Sequence, residues 1–180
     1  SLFASAEFSL NGYLYLTGTV RNDWFSMLEN EIDNEHLYPS IGTSFVFSEA
    51  FDNLPTWLSF GKFRATWAEV GNTGALSPYR TAIDYSPAQN HLGKPLGSFT
   101  FPGIPNLALE PAKSAELEFG VDLRFMENRI GVDFTYYSQT TTKDILDQTI
   151  SRTSGFPSTI VNVGRMENKG IELLLTGTPV

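Results

Sequence analysis

The chain has 180 residues, 20 Asp and Glu against 12 Lys and Arg, and a net charge of −8 at pH 7. It contains no Lys/Arg-rich run, so its composition argues against a nucleic-acid binder, because phosphate backbones attract clustered cations. The absence of cysteine excludes disulfides, thiolate metal sites and cysteine nucleophiles. Aromatic residues make up 13% of the chain, which favours strands.

Alternation of apolar and polar residues with a period of two recurs along the chain and predicts β-strands. The predicted strands are Leu2–Ser9, Tyr13–Arg21, Ser40–Ser48, Leu58–Val70, Ser114–Met126, Arg129–Thr141 and Lys169–Thr178. The short connections are Leu10–Gly12, Glu49–Trp57 and Glu127–Asn128, and the long ones are Asn22–Pro39, Gly71–Lys113 and Thr142–Asn168. This alternation of short and long connections is typical of outer-membrane barrels, which place short turns at one end and long loops at the other.

The first hairpin contains Asn11-Gly12, a dipeptide favoured in two-residue type I′ turns. That turn would set Leu16 against Glu7 and mix the two faces of the hairpin. A three-residue loop, Leu10–Gly12, with Gly12 in the left-handed conformation, keeps one face apolar. It pairs Leu14 with Phe8, Leu16 with Ala6, and Val20 with Leu2. Since a one-residue slip moves every side chain to the other face, we predict the three-residue loop.

A two-residue turn at Glu127-Asn128 predicts the register of a second hairpin. One face then pairs Phe125 with Ile130, Leu123 with Val132, Val121 with Phe134, and Phe119 with Tyr136. The other face pairs Arg124 with Gly131, Asp122 with Asp133, Gly120 with Thr135, and Glu118 with Tyr137. Two carboxylates directly opposite each other repel, so we expect a nearby cation or a wide aqueous interior; Arg124, on the diagonal, is one candidate. These strands of about a dozen residues exceed the usual globular length and approach the length that spans a bilayer.

Searches for catalytic and metal-binding motifs yield no site. The chain has no G-x-S-x-G, H-E-x-x-H or P-loop pattern, and its two histidines, His36 and His91, lie far apart in long loops. The acidic run Glu29–Glu35 lacks the spacing and the glycine of an EF-hand. Glu116, Glu118 and Asp122 share a strand face, where a glycosidase pair is conceivable, but carboxylates occur on the inner face of any barrel. We therefore predict no catalytic residue, no metal and no cofactor.

Several segments match one family in pattern and in order. They are F-R-A-T-W-A-E-V-G-N (Phe63–Asn72), L-Y-P-S-I-G-T-S-F-V-F-S-E-A (Leu37–Ala50), L-A-L-E-P-A-K-S-A-E-L-E-F-G-V-D-L-R-F (Leu107–Phe125), N-R-I-G-V-D-F-T-Y-Y-S-Q-T-T-T-K-D-I-L (Asn128–Leu146), the opening stretch, and the S-G-F to K-G-I-E-L segment (Ser154–Leu173). They resemble the SusC/RagA family of TonB-linked outer-membrane proteins of Bacteroidetes, which carries L-R-x-S-x-G-x-x-G-N and N-x-G-x-x-x-N-K-G-x-E-L. Departures include Ala68 where the family usually has Gly, and Glu110-Pro111 where it usually has Trp-Glu.

The resemblance implies an all-β fold, an antiparallel up-and-down transmembrane β-barrel, of which residues 1–180 supply seven strands out of 22 around a plug. The chain would then be a C-terminal-half piece of a longer protein, without the plug or the TonB box. The implied function is TonB-dependent import of oligosaccharides or peptides at the outer membrane of a Gram-negative bacterium, without catalysis. The implied partners are a SusD-like surface lipoprotein, TonB and outer-membrane lipid. Two alternatives stay open: a soluble β-rich carbohydrate-binding or adhesin module, and a closed eight-stranded barrel.

Two groups of residues are candidates for function in such an importer. Aromatic residues of the long loops are expected to stack on a ligand or to pack on a partner: Trp24, Tyr38, Tyr79, Tyr85, Phe99 and Phe101. They equally suit a small core within the loops or an aromatic girdle. The polar residues expected to face the lumen are Glu116, Glu118, Asp122, Arg124, Asp133 and Glu172. Gly164 and Gly170 are expected at a bulge or a close backbone approach, since a strand follows them instead of a helix.

Overall fold

The structure, a computed structural model, describes residues 1–25, 28, 35–74, 76, 83–99 and 103–178. The strands within these ranges are β1 (Leu2–Leu10), β2 (Leu14–Trp24), β3 (Glu35–Val46), β4 (Leu58–Asn72), β5 (Tyr85–His91), β6 (Lys94–Phe99), β7 (Gly103–Ile104), β8 (Ala112–Phe125), β9 (Ile130–Thr149) and β10 (Ser158–Gly177). A short helix, α1 (Phe47–Ala50), and a 3₁₀ turn (Arg152–Ser154) are the helical elements of the described part. Among the same residues, no helix is long and apolar enough to cross a membrane.

Eight strands form one sheet in the order β1-β2-β3-β4-β8-β9-β10-β7, and β5 and β6 form a separate pair. The seven long strands, β1–β4 and β8–β10, are antiparallel to their neighbours. The prediction of an all-β, antiparallel up-and-down fold is confirmed. β1 and β7 lie at opposite edges of the sheet, so the described residues do not close into an eight-stranded barrel.

The predicted register of the β8–β9 hairpin is confirmed. Phe125 pairs with Ile130, and Asp122 lies opposite Asp133. Glu127 and Asn128 have positive φ angles of 57° and 66°. The Arg129 N–H donates to the Met126 carbonyl oxygen at 3.2 Å, which closes a two-residue turn.

The predicted register of the first hairpin is wrong by two residues. Leu14 pairs with Leu10 instead of Phe8, so the three-residue loop is 11–13 rather than 10–12. Asn11 and Gly12 both have positive φ, and the Tyr13 N–H donates to the Leu10 carbonyl oxygen at 3.1 Å. Asn11-Gly12 thus occupies the centre of the turn, and Tyr13 is the additional loop residue. A shift of two residues returns every side chain to the same face, so the apolar face is as predicted.

Several predicted connections contain strand residues. β3 begins at Glu35 instead of Ser40, β9 continues to Thr149 instead of Thr141, and β10 begins at Ser158 instead of Lys169. The connection predicted at Gly71–Lys113 contains β5, β6 and β7. At the other end of β3, α1 replaces the predicted strand residues Phe47 and Ser48. Apolar alternation reports strands that bury one face, and it fails where both faces contact water or other loops.

The register brings apolar side chains together on one face of the seven long strands. We call this surface the apolar belt; its members include Phe8, Leu16, Ile41, Phe63, Leu117, Phe119, Phe134, Ile171, Leu173 and Leu175. Ile41 and Leu173 are each 60% exposed. A continuous exposed apolar band of this kind is the surface that a membrane barrel presents to lipid. The opposite face carries most of the charged residues of these strands and is called the polar face.

Aromatic rings cluster at the short-turn end of the sheet. Trp57 stacks on Phe125 with ring centroids 5.7 Å apart, and Phe47 of α1 lies 5.1 Å from Phe63. A Cβ atom at Gly61 would overlap the Phe47 ring, so the ring lies flat against the backbone of β4. This arrangement corresponds to an aromatic girdle at one border of the belt.

We expect Gly61→Ala, in the full-length protein, to lower the free energy of unfolding by about 1–3 kcal/mol, because the new methyl group overlaps the Phe47 ring. The measurement is the urea concentration at which the detergent-solubilised protein loses its folded mobility on a cold SDS gel. In the double variant Gly61→Ala/Phe47→Ala the overlap is absent, so the two losses should be less than additive. Additive losses would show that Phe47 does not pack on Gly61.

Candidate functional site

Arg64 on β4 organises the charges of the polar face. Its guanidinium group reaches over β8 and donates to both carboxylate oxygens of Asp133 on β9, from Nη1 at 3.1 Å and Nη2 at 2.9 Å. Its Nε donates to Glu118 at 3.3 Å, and Nη2 also donates to the Thr135 hydroxyl. Gly120 lies beneath the side chain, where a Cβ atom would overlap it. We call Arg64, Glu118, Asp133 and Thr135 the Arg64 cluster.

The Arg64 cluster provides the cation expected near the facing carboxylates Asp122 and Asp133. Asp133 is paired with Arg64, while Asp122 lies 3.6 Å from Nη2 of Arg124. Each carboxylate therefore has its own cation, which offsets the repulsion between them. Alternation along β4 places Arg64 on the polar face, but its partners depend on the β4–β8 register. That register could not be predicted from the sequence, because the two strands are joined by a long connection and no short turn sets their pairing.

The register places all six predicted polar residues on the polar face, but they do not form one site. Glu118 and Asp133 belong to the Arg64 cluster, and Asp122 pairs with Arg124. Glu116 accepts a hydrogen bond from Gln139 at 3.2 Å, and Glu172 lies opposite Thr135 in the ladder. In the part of the chain that the structure describes, no three His, Asp or Glu side chains are grouped to hold a metal ion. These ion pairs and hydrogen bonds hold the charged side chains of the polar face in defined positions.

Of the two glycines of the C-terminal segment, Gly170 permits the close approach predicted for it, whereas Gly164 lies at neither a bulge nor a close approach, because the register is the same on both sides of it. Gly164 has a φ of +85° and interrupts the ladder opposite Lys143, whose φ is +59°. A Cβ atom at Gly170 would lie 2.6 Å from the Tyr137 ring, so the glycine permits a close approach. Neither glycine forms part of a ligand-binding loop.

At the long-loop end, a small core joins the loops to β9 and β10. Leu28, Leu76, Leu109 and Ile160 are buried together, with Phe25 and Ile145 packed against them. We call this group the loop core. Ile145 and Ile160 belong to β9 and β10, so the loop core continues the barrel wall and covers its upper end.

Asn162 of β10 attaches the segment before β8 to this end of the wall. Its Oδ1 accepts from the Glu110 N–H at 2.8 Å, and its Nδ2 donates to the carbonyl oxygens of Glu110 at 2.7 Å and Lys143 at 2.8 Å. Lys143 also forms an ion pair with the Glu110 carboxylate. Asn106 donates to the Ile160 carbonyl oxygen at 3.1 Å. These contacts order part of the longest connection, the one between β4 and β8.

Three aromatic rings form what we call the aromatic platform. The Phe99 ring lies 5.2 Å from Tyr85 and 4.7 Å from Phe156, and Tyr85 and Phe99 remain 64% and 42% exposed. Sequence reasoning missed Phe156, although an aromatic residue between Gly155 and Pro157 in a turn is a usable signal. The platform is open enough to accept a planar or ring-shaped ligand group.

The other predicted aromatic residues lie elsewhere. Trp24 is exposed, and its indole N–H donates to Glu35 at 3.3 Å. Tyr38 is only 6% exposed, with the Arg21 guanidinium 5.6 Å from its ring, so its ring packs against the wall. Tyr79 and Phe101 lie outside the described residues, as do residues 29–34 of the acidic run.

The family model described as "TonB dependent receptor-like, beta-barrel" matches residues 1–178. The chain belongs to this family. It is 31% identical over 186 residues to TonB-dependent receptor P26 of Formosa agariphila, with 100% of this chain and 18% of P26 covered. It is 29% identical over 127 residues to TonB-dependent receptor P3 of the same organism, covering 70% of this chain and 12% of P3. The chain thus spans less than a fifth of these receptors.

Solved barrels share the fold. The RagAB peptide importer in its closed-closed state superposes with a TM-score of 0.89 at 24% identity, covering 99% of this chain and 19% of that chain. The siderophore receptor PirA from Pseudomonas aeruginosa gives 0.62 at 18% identity, covering 96% of this chain and 30% of PirA. The resemblance to SusC/RagA proteins and the barrel fold class are confirmed. The family comprises outer-membrane receptors and transporters, and a soluble module finds no support.

We expect Arg64→Met, in the full-length protein, to lower the free energy of unfolding by about 1–2 kcal/mol, because Asp133 and Glu118 lose their shared cation. Asp133→Asn in the same background should recover part of this loss by removing the unpaired charge. Urea titration followed by tryptophan fluorescence measures both effects. Equal stability of Arg64→Met and the parent protein would show that the cluster contributes nothing.

We expect Asn162→Ala to release the segment around Glu110 without unfolding the sheet, because one side chain makes three hydrogen bonds there. Hydrogen exchange of the full-length protein should be faster at residues 103–111 and unchanged in β4 and β8. Asn168→Ala, an exposed residue of the same strand, is the matched control and should leave this segment protected. Unchanged exchange in Asn162→Ala would contradict the role of Asn162.

Proposed function

We propose that the chain forms part of the wall of a TonB-dependent nutrient importer in the outer membrane of a Gram-negative bacterium. The observation that carries the proposal is the two-sided sheet, with its apolar belt on one face and fixed charges on the other, in a chain of the TonB-dependent receptor barrel family. A wall of this kind faces lipid outside and water inside. Its function is transport, and no bond is made or broken.

Oligosaccharides or peptides are the proposed substrates. The aromatic platform offers exposed ring faces at the long-loop end, and such faces stack on sugar rings and on the side chains of peptides. Tyr85 and Phe99 are the described residues proposed to contact the ligand, and Tyr79 and Phe101 remain candidates by sequence. Trp24 lies on the face of β2 that carries the apolar belt, at the long-loop end of the strand, and contacts the ligand only if the ligand reaches over the rim. The structural neighbour RagAB is a peptide importer by its own description, which favours this substrate class.

The polar face is proposed to line the passage. Glu116, Glu118, Asp122, Arg124, Asp133 and Glu172 would then present fixed charges to water and solute. The charged residues of the Arg64 cluster, one cation and two carboxylates, hold one another in place and leave a net charge of −1, so the wall keeps its charge pattern. The proposed partners are a SusD-like surface lipoprotein over the long loops, TonB acting through a plug, and outer-membrane lipid around the belt.

The experiment measures uptake by cells that produce the full-length receptor together with the proposed SusD-like lipoprotein. We expect Tyr85→Ala/Phe99→Ala to reduce uptake of a labelled oligosaccharide or peptide about tenfold, which corresponds to losing roughly 1–2 kcal/mol of stacking. Phe51→Ala, an exposed aromatic residue at the short-turn end, is the matched control and should leave uptake unchanged.

Membrane fractionation distinguishes a result that contradicts the proposed function from one that contradicts only the role of the aromatic platform. A receptor absent from the outer membrane would overturn the proposed function as a whole. Normal uptake by the double variant, with the receptor inserted, would overturn only the role of the aromatic platform.

A further inference from the structure

We call the face that carries the apolar belt the outward face. On β8, β9 and β10, its residues change from apolar to polar and charged where the belt ends. On β10, Ile171 is the last apolar residue of the belt, and Lys169 is the next residue on the same face. Lys113 of β8 and Arg165 of β10 lie further toward the long loops. We call Lys113, Arg165 and Lys169 the cationic patch. Among the described residues of the seven long strands, these are the Lys and Arg residues that the register places on the outward face.

The patch has a defined geometry. Lys113 and Arg165 both pair with Thr142, so one row of the sheet reads Lys113, Thr142, Arg165. With strands about 4.8 Å apart, the Cα atoms of the two cations are roughly 10 Å apart. Lys169 lies four residues nearer the belt, or about 13 Å along β10. Between these positions, β9 places the hydroxyl groups of Ser138 and Thr140 on the same face.

Neighbouring carboxylates only partly neutralise the patch. Lys113 lies 2.6 Å from Glu69, while Arg165 and Lys169 share Glu167 at 2.7 Å and 3.2 Å. Three cations and two carboxylates leave a net charge of +1, in a chain whose net charge is −8. The three side chains are 47%, 66% and 55% exposed. Exposed ion pairs of this kind are weak, so the cations can exchange a carboxylate for a phosphate.

We propose that the cationic patch binds the phosphate groups of anionic lipid headgroups in the leaflet next to the long loops. The proposal rests on the proposed function, because lipid must cover the apolar belt. Acyl chains on the belt place their headgroups at its border, where the patch begins. The long stems of Lys and Arg lie along apolar surface while their charged ends reach the headgroups. The Thr142 hydroxyl, between Lys113 and Arg165, donates to the Lys113 carbonyl oxygen at 3.4 Å, so recognition of the phosphate depends on the three cations.

The test uses the full-length receptor, delipidated in a mild detergent, and bisphosphorylated lipid A as the probe. Binding is measured by native mass spectrometry. We expect each of Lys113→Gln, Arg165→Gln and Lys169→Gln to weaken binding about fivefold, and the triple variant on the order of 100-fold. Glu69→Gln/Glu167→Gln should strengthen binding. Lys62→Gln, which removes a cation from the polar face, is the matched control and should bind as the parent does.

Three results would overturn the proposal: a triple variant that binds within twofold of the parent, equal binding of lipid A and uncharged phosphatidylcholine, or displacement of lipid A by inorganic phosphate alone. The last result would mean a site for free phosphate. Outer-membrane fractionation of the same variants distinguishes the two levels of failure. A receptor missing from the membrane overturns the proposed function, whereas an inserted receptor with an unaffected triple variant overturns this inference alone.

Discussion

Pairing of the backbone is the requirement from which the rest of this structure follows. A chain that crosses hydrocarbon must give every N–H and C=O group a protein partner, and each of the seven long strands pairs with its neighbours in the sheet through antiparallel ladders. Once the ladders are set, each residue is assigned to one face. The apolar belt and the polar face are therefore consequences of register. β9 and β10 continue their ladder beyond the belt, to Thr149 and Ser158, and so carry the wall up to the loops.

Side chains that lie flat against small residues recur on both faces. Arg64 crosses β8 over Gly120, the Tyr137 ring covers Gly170, and on the outward face Phe47 covers Gly61. In each case the missing Cβ atom lets a long side chain run along the sheet instead of standing away from it. On the polar face this keeps charged and aromatic groups close to the wall. The arrangement satisfies the charges without narrowing the space that the wall encloses.

The positions of most strands were predictable because they depend on residues that are close together in the sequence. Alternation located the strands, and one turn set the β8–β9 register, including the facing pair Asp122 and Asp133. The first hairpin was misplaced by two residues because such a shift preserves both faces, so the apolar pattern could not distinguish the registers. The upper parts of β9 and β10 do not alternate, because loops and water contact both of their faces.

The interactions of the site depend on non-local register and were less accessible from sequence. Arg64 meets Asp133 only because β4 lies beside β8, after a connection whose length hides the pairing. Tyr38 was a reasonable ligand candidate by residue type, but its burial is decided by strands on either side of it. Phe156 joins Phe99 through the contact of two separate hairpins, which no spacing in the sequence encodes.

The two-residue strand β7 covers part of a strand edge above the wall. A closed barrel has no free strand edges within its wall, but a hairpin that projects beyond the wall exposes an edge again, and free edges template aggregation. β7 pairs in parallel with Ser158 and Thr159 at the upper end of β10, and the Thr159 hydroxyl donates to the Ile104 carbonyl oxygen at 3.3 Å. The connection that carries Tyr85 and Phe99 therefore also covers the edge of β10 at Ser158 and Thr159.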